Sequence, residues 1–348
     1  MTTGFPRVLQ LRVLASLSLT PYHLKGRHMK KSDVVILAGD KKASVLVRND
    51  NKAFLEINRI PSIVYVLRAF LGSECTKDII VVGPADRLKG VLREFDLLKR
   101  GRIRIIEQKE SLIANGKAGF IASLDGLPDD SDFDSIDRRK YGDVVVVFAS
   151  CDIPLITPQE IDEFILKADM DAFDYYIGLC GDEVLEHYYP DAENPGIRMA
   201  YFTLREGNYR VNNLQIAKPL KIERLKYIEQ MYEIRYQRRL GNLLKLLLRI
   251  VCSGRAVLKT MYYAVKLRLA LYFFDRRRMA VYRRIKESIR IDKICVSIGR
   301  ILGTRISYRT THYGGAALDI DHPEDRDTVE KMFDRWIAYQ NDLKIKDG

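Results

Sequence analysis

Cysteine, histidine and tryptophan are scarce in this sequence: five, five and one in 348 residues. The cysteines form no C-x-x-C pair, which argues against a disulfide framework or a zinc ribbon and for a reducing compartment. The histidines show no H-E-x-x-H spacing, which argues against a zinc hydrolase. No run of 18 uncharged apolar residues occurs, so no ordinary membrane-spanning helix is expected. Internal repeats are absent as well. What is present is ordinary for a soluble globular chain, with 47% hydrophobic and 30% charged residues, and wholesale disorder is excluded. The length corresponds to about two domains and can bury a core without covalent staples.

Acidic residues are missing from the first 32 positions, where Arg7, Arg12, Lys25 and Arg27 surround a short apolar stretch, Val13 to Leu19. Residues 1–31 are read as a leader. Either the true start is Met29, with a misread or disordered segment before it, or the stretch is a targeting signal. Acids are also scarce between Lys218 and Arg300, with 22 Lys and Arg against 6 Asp and Glu. That segment supplies all of the chain's net charge of +12. Such asymmetry marks a separate module facing something anionic, or a solvated helical surface that happens to be basic.

Short apolar runs at Val34–Leu37, Ile79–Val82, Ile103–Ile106 and Val144–Phe148 predict strands covered on both faces. They alternate with helical spacing at Ile63–Phe70, Leu88–Leu98 and Ala114–Leu124. Thr157-Pro158-Gln159-Glu160 opens a further helix, with an N-cap, a proline at the first turn and an acid. Residues 172–218 read as antiparallel strands with a turn at Glu206-Gly207-Asn208. Beyond Pro219, residues to 300 contain no proline and read as a basic helical insertion. Ile306–Tyr308 and Ala316–Ile320 are expected to be strands, and Pro323-Glu324-Asp325 opens a last helix. The expected fold class is α/β: a mostly parallel sheet flanked by helices, with residues 32–218 and 301–345 as core and 219–300 as a basic α-helical insertion.

In a parallel sheet, ligands bind at the carboxyl ends of the strands. Gly39-Asp40, Gly83 and Asp152 fall at such ends. Asp319 and Asp321 follow near the end of the chain, and Lys52 stands beyond the first strand. Two carboxylates from distant segments suit a Mg²⁺ held by few protein ligands plus substrate phosphates. A nearby Lys suits phosphate neutralisation. Taken singly, an Asp after a strand is as often a turn or helix cap. His312 and His322 are expected in loop or capping roles.

Val34-Val35-Ile36-Leu37-Ala38-Gly39 resembles the opening strand and loop of the MobA-like nucleotidyltransferases. Asn51-Lys52-Ala53-Phe54-Leu55-Glu56-Ile57 with Ile60-Pro61-Ser62-Ile63 resembles their Lys-containing segment. Ser150-Cys151-Asp152-Ile153-Pro154-Leu155-Ile156-Thr157-Pro158 is similar to their metal-binding Asp segment. Ala317-Leu318-Asp319-Ile320-Asp321-His322-Pro323-Glu324-Asp325 is similar to their closing D-x-D-x-P-E-D motif. The resemblance covers residues 33–218 and 301–340. It implies a GT-A-like nucleotidyltransferase fold and transfer of a nucleotidyl group from an NTP to a phosphate-bearing or related acceptor, with release of pyrophosphate. It also implies Mg²⁺ as cofactor. By this resemblance Ala38, Gly39 and Asp40 lie in the nucleotide loop, Lys52 and Asp152 are catalytic, and Asp152, Asp319 and Asp321 are metal carboxylates. Gly83, at a strand end, and Asn115 are further candidates for the nucleotide side. Asn212 and Asn213 would face the acceptor. The family's loop is Gly-rich with an Arg before a Gly. Here it reads Ala38-Gly39-Asp40-Lys41-Lys42-Ala43-Ser44, with Asp40 at the second Gly and only Lys41, Lys42 or Arg48 as nearby cations. The chain looks most like relatives that combine such a loop with a helical segment before the last motif.

Three uses of the insertion stay open: a cap that binds an anionic acceptor, an interfacial segment on an anionic membrane surface through residues 240–290, or a nucleic-acid surface. The last lacks any RNP, KH or zinc-finger pattern, so nucleic acid is not an expected partner. The expected location is cytoplasmic, with peripheral contact at the inner face of the membrane as its variant. Beside the enzyme reading stand a catalytically degenerate nucleotide-binding protein and a peripheral membrane or RNA-binding protein.

Overall fold

Val34, Val35 and Ile36 have no exposed surface, as a strand covered on both faces requires. The computed structural model describes residues 31–41, 47, 50–229 and 255–347. The expected leader up to Lys30, the loop residues Lys42, Ala43, Ser44 and Arg48, and Leu240–Val251 of the insertion lie outside the described residues.

Apart from a two-stranded ribbon of Glu56–Ile57 and Ile60–Pro61, the strands among the described residues are β1 (Ser32–Leu37), β2 (Thr76–Gly83), β3 (Ile103–Glu107), β4 (Val146–Ser150), β5 (Tyr175–Gly181), β6 (Phe202–Leu204), β7 (Gly207–Ala217) and β8 (Ile306–Thr311). They form one sheet in the order β8-β5-β7-β4-β1-β2-β3, with β6 paired to β7. The neighbours β4-β1-β2-β3 and the pair β8-β5 are parallel. β7 runs antiparallel to β4, β5 and β6. The mostly parallel sheet expected from the sequence is therefore the one observed. The antiparallel strand β7 lies inside it, between two parallel groups.

Alternation along β1 sorts the two faces. Val34 and Ile36 join the core under α1 (Ser62–Gly72), α2 (Ala85–Glu94) and α4 (Pro158–Lys167), with Phe70, Leu88 and Phe164. Val35 joins the opposite core under α3 (Leu112–Ala122), with Phe120 and Phe133. Each such fully buried side chain stabilises the fold by about 1.5–3 kcal/mol. Thr157 caps α4 as its sequence predicts, its side chain accepting from Glu160 N–H, with Pro158 in the first turn. Cys75, Cys151, Cys180 and Cys295 are all buried and free.

The described part of the insertion is helical: α5 (Arg255–Asp275), α6 (Met279–Glu287) and α7 (Ile291–Leu302). α7 continues past residue 300 and stops at Gly303, whose φ of 68° is the left-handed end of a helix. Ile291, Cys295 and Leu302 pack on Tyr175, Leu179 and Leu204, so the insertion is fastened to the sheet. A last helix, α8 (Pro323–Asp347), closes a third core through Val329, Met332 and Trp336. Among the described residues no helix is long and apolar enough to cross a membrane.

Ala316–Ile320, expected to be a strand, is not one. Gly315–Ala317 form a single 3-10 turn and the chain then runs on irregularly. The reason lies across the core. Glu160 is wholly buried in α4. Its carboxylate accepts from Thr311 Oγ1 at 2.8 Å and from Ala316 N–H at 2.9 Å. A backbone group bonded to a side chain is not free for a strand ladder.

Burial pushes the Glu160 carboxyl up to about 7 from the ordinary 4.5, against the pull of its two donors. A folded-state value raised in this way means stability that is complete below about pH 4.5 and is lost as pH rises through about 7. Glu160→Gln removes that dependence. Urea denaturation should show wild type losing on the order of 2 kcal/mol relative to the variant between about pH 4.5 and 7.5. Parallel curves for the two proteins would contradict the assignment.

Candidate active site

Leu37 lies opposite Ser150 in the pairing of β1 with β4. The loops that follow, through Gly39 and through Asp152, therefore leave the sheet side by side. Ile320 N–H donates to Asp152 O at 3.1 Å, which joins the segment before α8 to the end of β4. Asp319 and Asp321 thus reach Asp152 from the far end of the chain. Asp325 holds that segment in shape, accepting from the N–H groups of Asp321 at 3.2 Å and His322 at 2.9 Å.

Lys52 enters from a 3-10 turn, Lys52–Phe54. Asn51 caps the turn through Ala53 N–H at 2.9 Å, and its Nδ2 donates to Ala38 O at 2.9 Å. One side chain therefore fixes the Lys52 turn against the β1 loop. Lys52 Nζ donates to Asp152 Oδ2 at 3.0 Å and to Asp321 Oδ1 at 2.6 Å. Ser150 Oγ donates to the other oxygen of Asp152. Burial works against the Lys52 charge, but Asp152 and Asp321 outweigh it and hold the ammonium well above its usual range. Asp319 is buried and accepts from Arg210 Nη2 at 2.7 Å. Burial, together with Asp152 and Asp321, pushes its carboxyl up against the pull of Arg210.

These groups line one cavity of about 600 Å³, within the range of small-molecule sites. Of the residues singled out in the sequence, Gly39, Lys52, Asn115, Asp152, Asn212, Asn213, Asp319 and Asp321 share its wall. Ala38, Asp40 and Gly83 lie off that wall. Ala38 is wholly buried, donating to Val82 O and accepting from Asn51. A Cβ on Gly83 would stand 2.9 Å from Ala38 O, so Gly83 packs behind the loop. Asp40 is tied to Gln108 by bonds of 2.8 Å and 2.7 Å.

Gly39 is required by close approach, since a Cβ there would fall 2.6 Å from Asn115 Nδ2. Asn115 in turn accepts from Lys109 N–H at 2.6 Å and holds the loop before α3. On β7, Asn212 Oδ1 accepts from Leu214 N–H at 3.0 Å and fills the space left by Gly178. Its buried Nδ2 has no partner. Asn213 Nδ2 donates to Ala316 O at 3.2 Å. His312 binds Glu163 and His322 caps α8 through its backbone; neither lines the cavity.

Sequence reasoning missed Arg210, Ser150, Asn51 and Gln108. Arg210 had a signal: along β7 the alternate positions Ile216 and Leu214 are buried and apolar, and the same face turns polar at Asn212 and Arg210. Gln108 had none.

No cluster of three or more His, Cys, Asp or Glu able to hold a metal occurs among the described residues. Asp152 and Asp319 nevertheless supply oxygen donors on one wall, each beside a cationic side chain. That donor set fits a Mg²⁺ that takes most of its ligands from water and phosphate, and does not fit zinc.

An open, mostly parallel sheet with its polar cluster at the carboxyl ends of β1 and β4 is the α/β arrangement expected from the sequence. Residues 34–177 match the family model of the MobA-like NTP transferase domain, so the resemblance read from the motifs holds over that segment. The closing motif at Asp319–Asp325 lies beyond the matched residues. A structure of a hypothetical transferase from Thermus thermophilus aligns with 19% identity and a TM-score of 0.56, covering 85% of this chain and 99% of its own. A 4-diphosphocytidyl-2C-methyl-D-erythritol synthase from Anaerococcus prevotii aligns with 14% identity and a TM-score of 0.43, over 88% of this chain and 97% of its own. At 19% identity the likeness to the Thermus thermophilus structure is one of fold. No curated protein matches the chain.

Lys52 stands between two carboxylates with little solvent access, so Lys52→Met should leave Asp152 without its compensating charge. The expected cost is about 3 kcal/mol in urea denaturation. Adding Asp152→Asn should recover most of it. A silent single substitution would mean the cluster does not stabilise the fold.

Proposed function

We propose that the protein is a Mg²⁺-dependent nucleotidyltransferase that moves a nucleotidyl group from an NTP to a phosphate-bearing acceptor and releases pyrophosphate. The observation that carries this reading is the Lys52–Asp152–Asp321 cluster beside Asp319 and Arg210, in one cavity. The sheet order supports it. Gly39 and Asn115 stand on the β1 and α3 side of that cluster, and Asn212 and Asn213 on the β7 side. Two substrates can then meet over it from opposite directions.

An acceptor phosphate oxygen attacks the α-phosphorus in line. A new P–O bond forms, the bond to the bridging oxygen breaks, and pyrophosphate leaves with that electron pair. Lys52, kept protonated by its carboxylates, and Arg210 face the developing negative charge. Bound Mg²⁺ would neutralise triphosphate charge beside Asp152 and Asp319. An acceptor that is already an anion needs no general base. The protein's share of the catalysis is then mainly positioning and electrostatics. The reaction is assigned to the cytoplasm, where NTPs are abundant.

A second reading is binding without turnover. It is favoured by Asp40, which brings a carboxylate into the loop where the family has Gly and is held there by Gln108. The two readings separate in one panel. CTP, GTP, ATP and UTP are each added with Mg²⁺ and the melting temperature is recorded. One NTP should stabilise wild type, by about 2.7 kcal/mol at a hundred times its dissociation constant, and should fail to stabilise Asp152→Ala. Pyrophosphate release with an acceptor then marks the enzyme, and a thermal shift without release for any acceptor marks the binding protein. No shift with any NTP would sink both.

A further inference from the structure

We propose that the acceptor is an amphiphile, a phosphate head on an apolar chain, drawn from an anionic bilayer against which α5 lies. The inference rests on the nucleotidyltransferase reading and narrows its acceptor.

The cavity wall changes character on the β7 side. Beyond Asn212 and Asn213, and past Tyr175 and Gln215, whose side chains bond each other, it is built by Phe202, Val211, Pro219, Ile222, Leu225 and Ile228. These six offer no side-chain hydrogen bond, so a small polar acceptor would leave them unused. An alkyl chain would not: each buried CH₂ is worth about fourfold in affinity. Phe202 and Val211 are 49% and 42% exposed, far from the ordinary state of an aromatic and a β-branched residue on neighbouring strands. The insertion supplies the back of the wall. Leu225 and Ile228 belong to the same apolar cluster as Tyr263 and Leu267 of α5.

α5 has a second apolar face. Tyr263, Leu267 and the fully buried Ala270 turn inward. Tyr262, Val265, Leu269 and Tyr272, spaced i, i+3, i+7 and i+10, form a stripe that is 42–56% exposed. A helix that only capped the core would be polar on that side. The charges around it have one sign, with eleven Lys and Arg against two Asp and Glu between 255 and 290. Lys259, Arg268, Arg276, Arg277, Arg278 and Arg283 are exposed. An apolar stripe with a cationic surround matches an anionic lipid surface, where the stripe enters the acyl boundary and the cations meet the headgroups. Nucleic acid would meet the same cations but would leave the Val265–Leu269 stripe in water.

Two measurements on the full chain test this. The first is calorimetric titration with dodecyl phosphate, below its micellar concentration, and with methyl phosphate. Dodecyl phosphate should bind wild type more than about tenfold more tightly. Val211→Asp should narrow that ratio while keeping the wild-type melting temperature. The second is co-sedimentation with vesicles of phosphatidylcholine, with and without phosphatidylglycerol. Wild type should sediment only with the anionic vesicles, and the combined Tyr262→Ser, Val265→Ser, Leu269→Ser and Tyr272→Ser variant should stay in solution. Equal affinity for the two phosphates, or no preference for anionic vesicles, overturns the proposal. So does a Ser variant that loses only self-association by light scattering, since the stripe would then join two copies of the chain. The NTP panel runs in parallel. An NTP shift without chain-length dependence removes this inference alone. Chain-length dependence without any NTP shift supports the amphiphile site and removes the transferase reading alone.

Discussion

The arrangement of the site depends on one ammonium group. Lys52 sits between Asp152 and Asp321, which come from the end of β4 and from the segment before α8. Without a cation between them the two carboxylates would repel, working against the Ile320–Asp152 backbone bond that joins the same two segments. The same ion cluster is what an incoming polyphosphate would meet. It stabilises the fold and lends the cavity its electrostatic character with the same few atoms.

Around that ammonium, the precision comes from polar side chains that bond to backbone groups. Asn51 fixes the Lys52 turn to the β1 loop, and Gln108 and Asn115 brace that loop from the other side. Glu160 reaches across the core to take Ala316 N–H, and Asp325 takes the N–H groups of Asp321 and His322. Each is a polar side chain bonded to backbone, which gives irregular segments a single conformation where no ladder is available. The insertion adds a different element: an apolar wall on the β7 side and, outside it, a helix with two apolar faces. The charged centre and the apolar wall together give the cavity two ends of unlike chemistry.

Much of this was legible beforehand because it is local. Continuous apolar runs mark buried parallel strands, and Thr157-Pro158 marks the start of a helix, since each signal sits within a few residues of its effect. Lys52, Asp152, Asp319 and Asp321 could be grouped through motif resemblance and strand-end logic. Ala316–Ile320 reads as a strand from its apolar residues, but its N–H groups go to Glu160, Gly314, Gly315 and Asp152, partners that no local pattern shows. Motif resemblance and strand-end logic point to Ala38 and Gly83 alike, and only the packing of β1 against β2 shows that both lie one layer behind the cavity wall.

The sequence by itself determined the strand–helix alternation, the continuously buried central strands, the basic insertion and the identity of the carboxylates and lysine of the site. These follow from periodicity, charge and motif order, which chain neighbours set. The tertiary structure alone decided that Arg210 neutralises Asp319, that Asn212 keeps a buried donor, that the loop residues Ala38, Asp40 and Gly83 support rather than line the cavity, and that the insertion supplies an apolar wall. Each of these is a distance between residues far apart in the chain. Such distances are set by how twisted strands and packed helices meet, which no local pattern encodes.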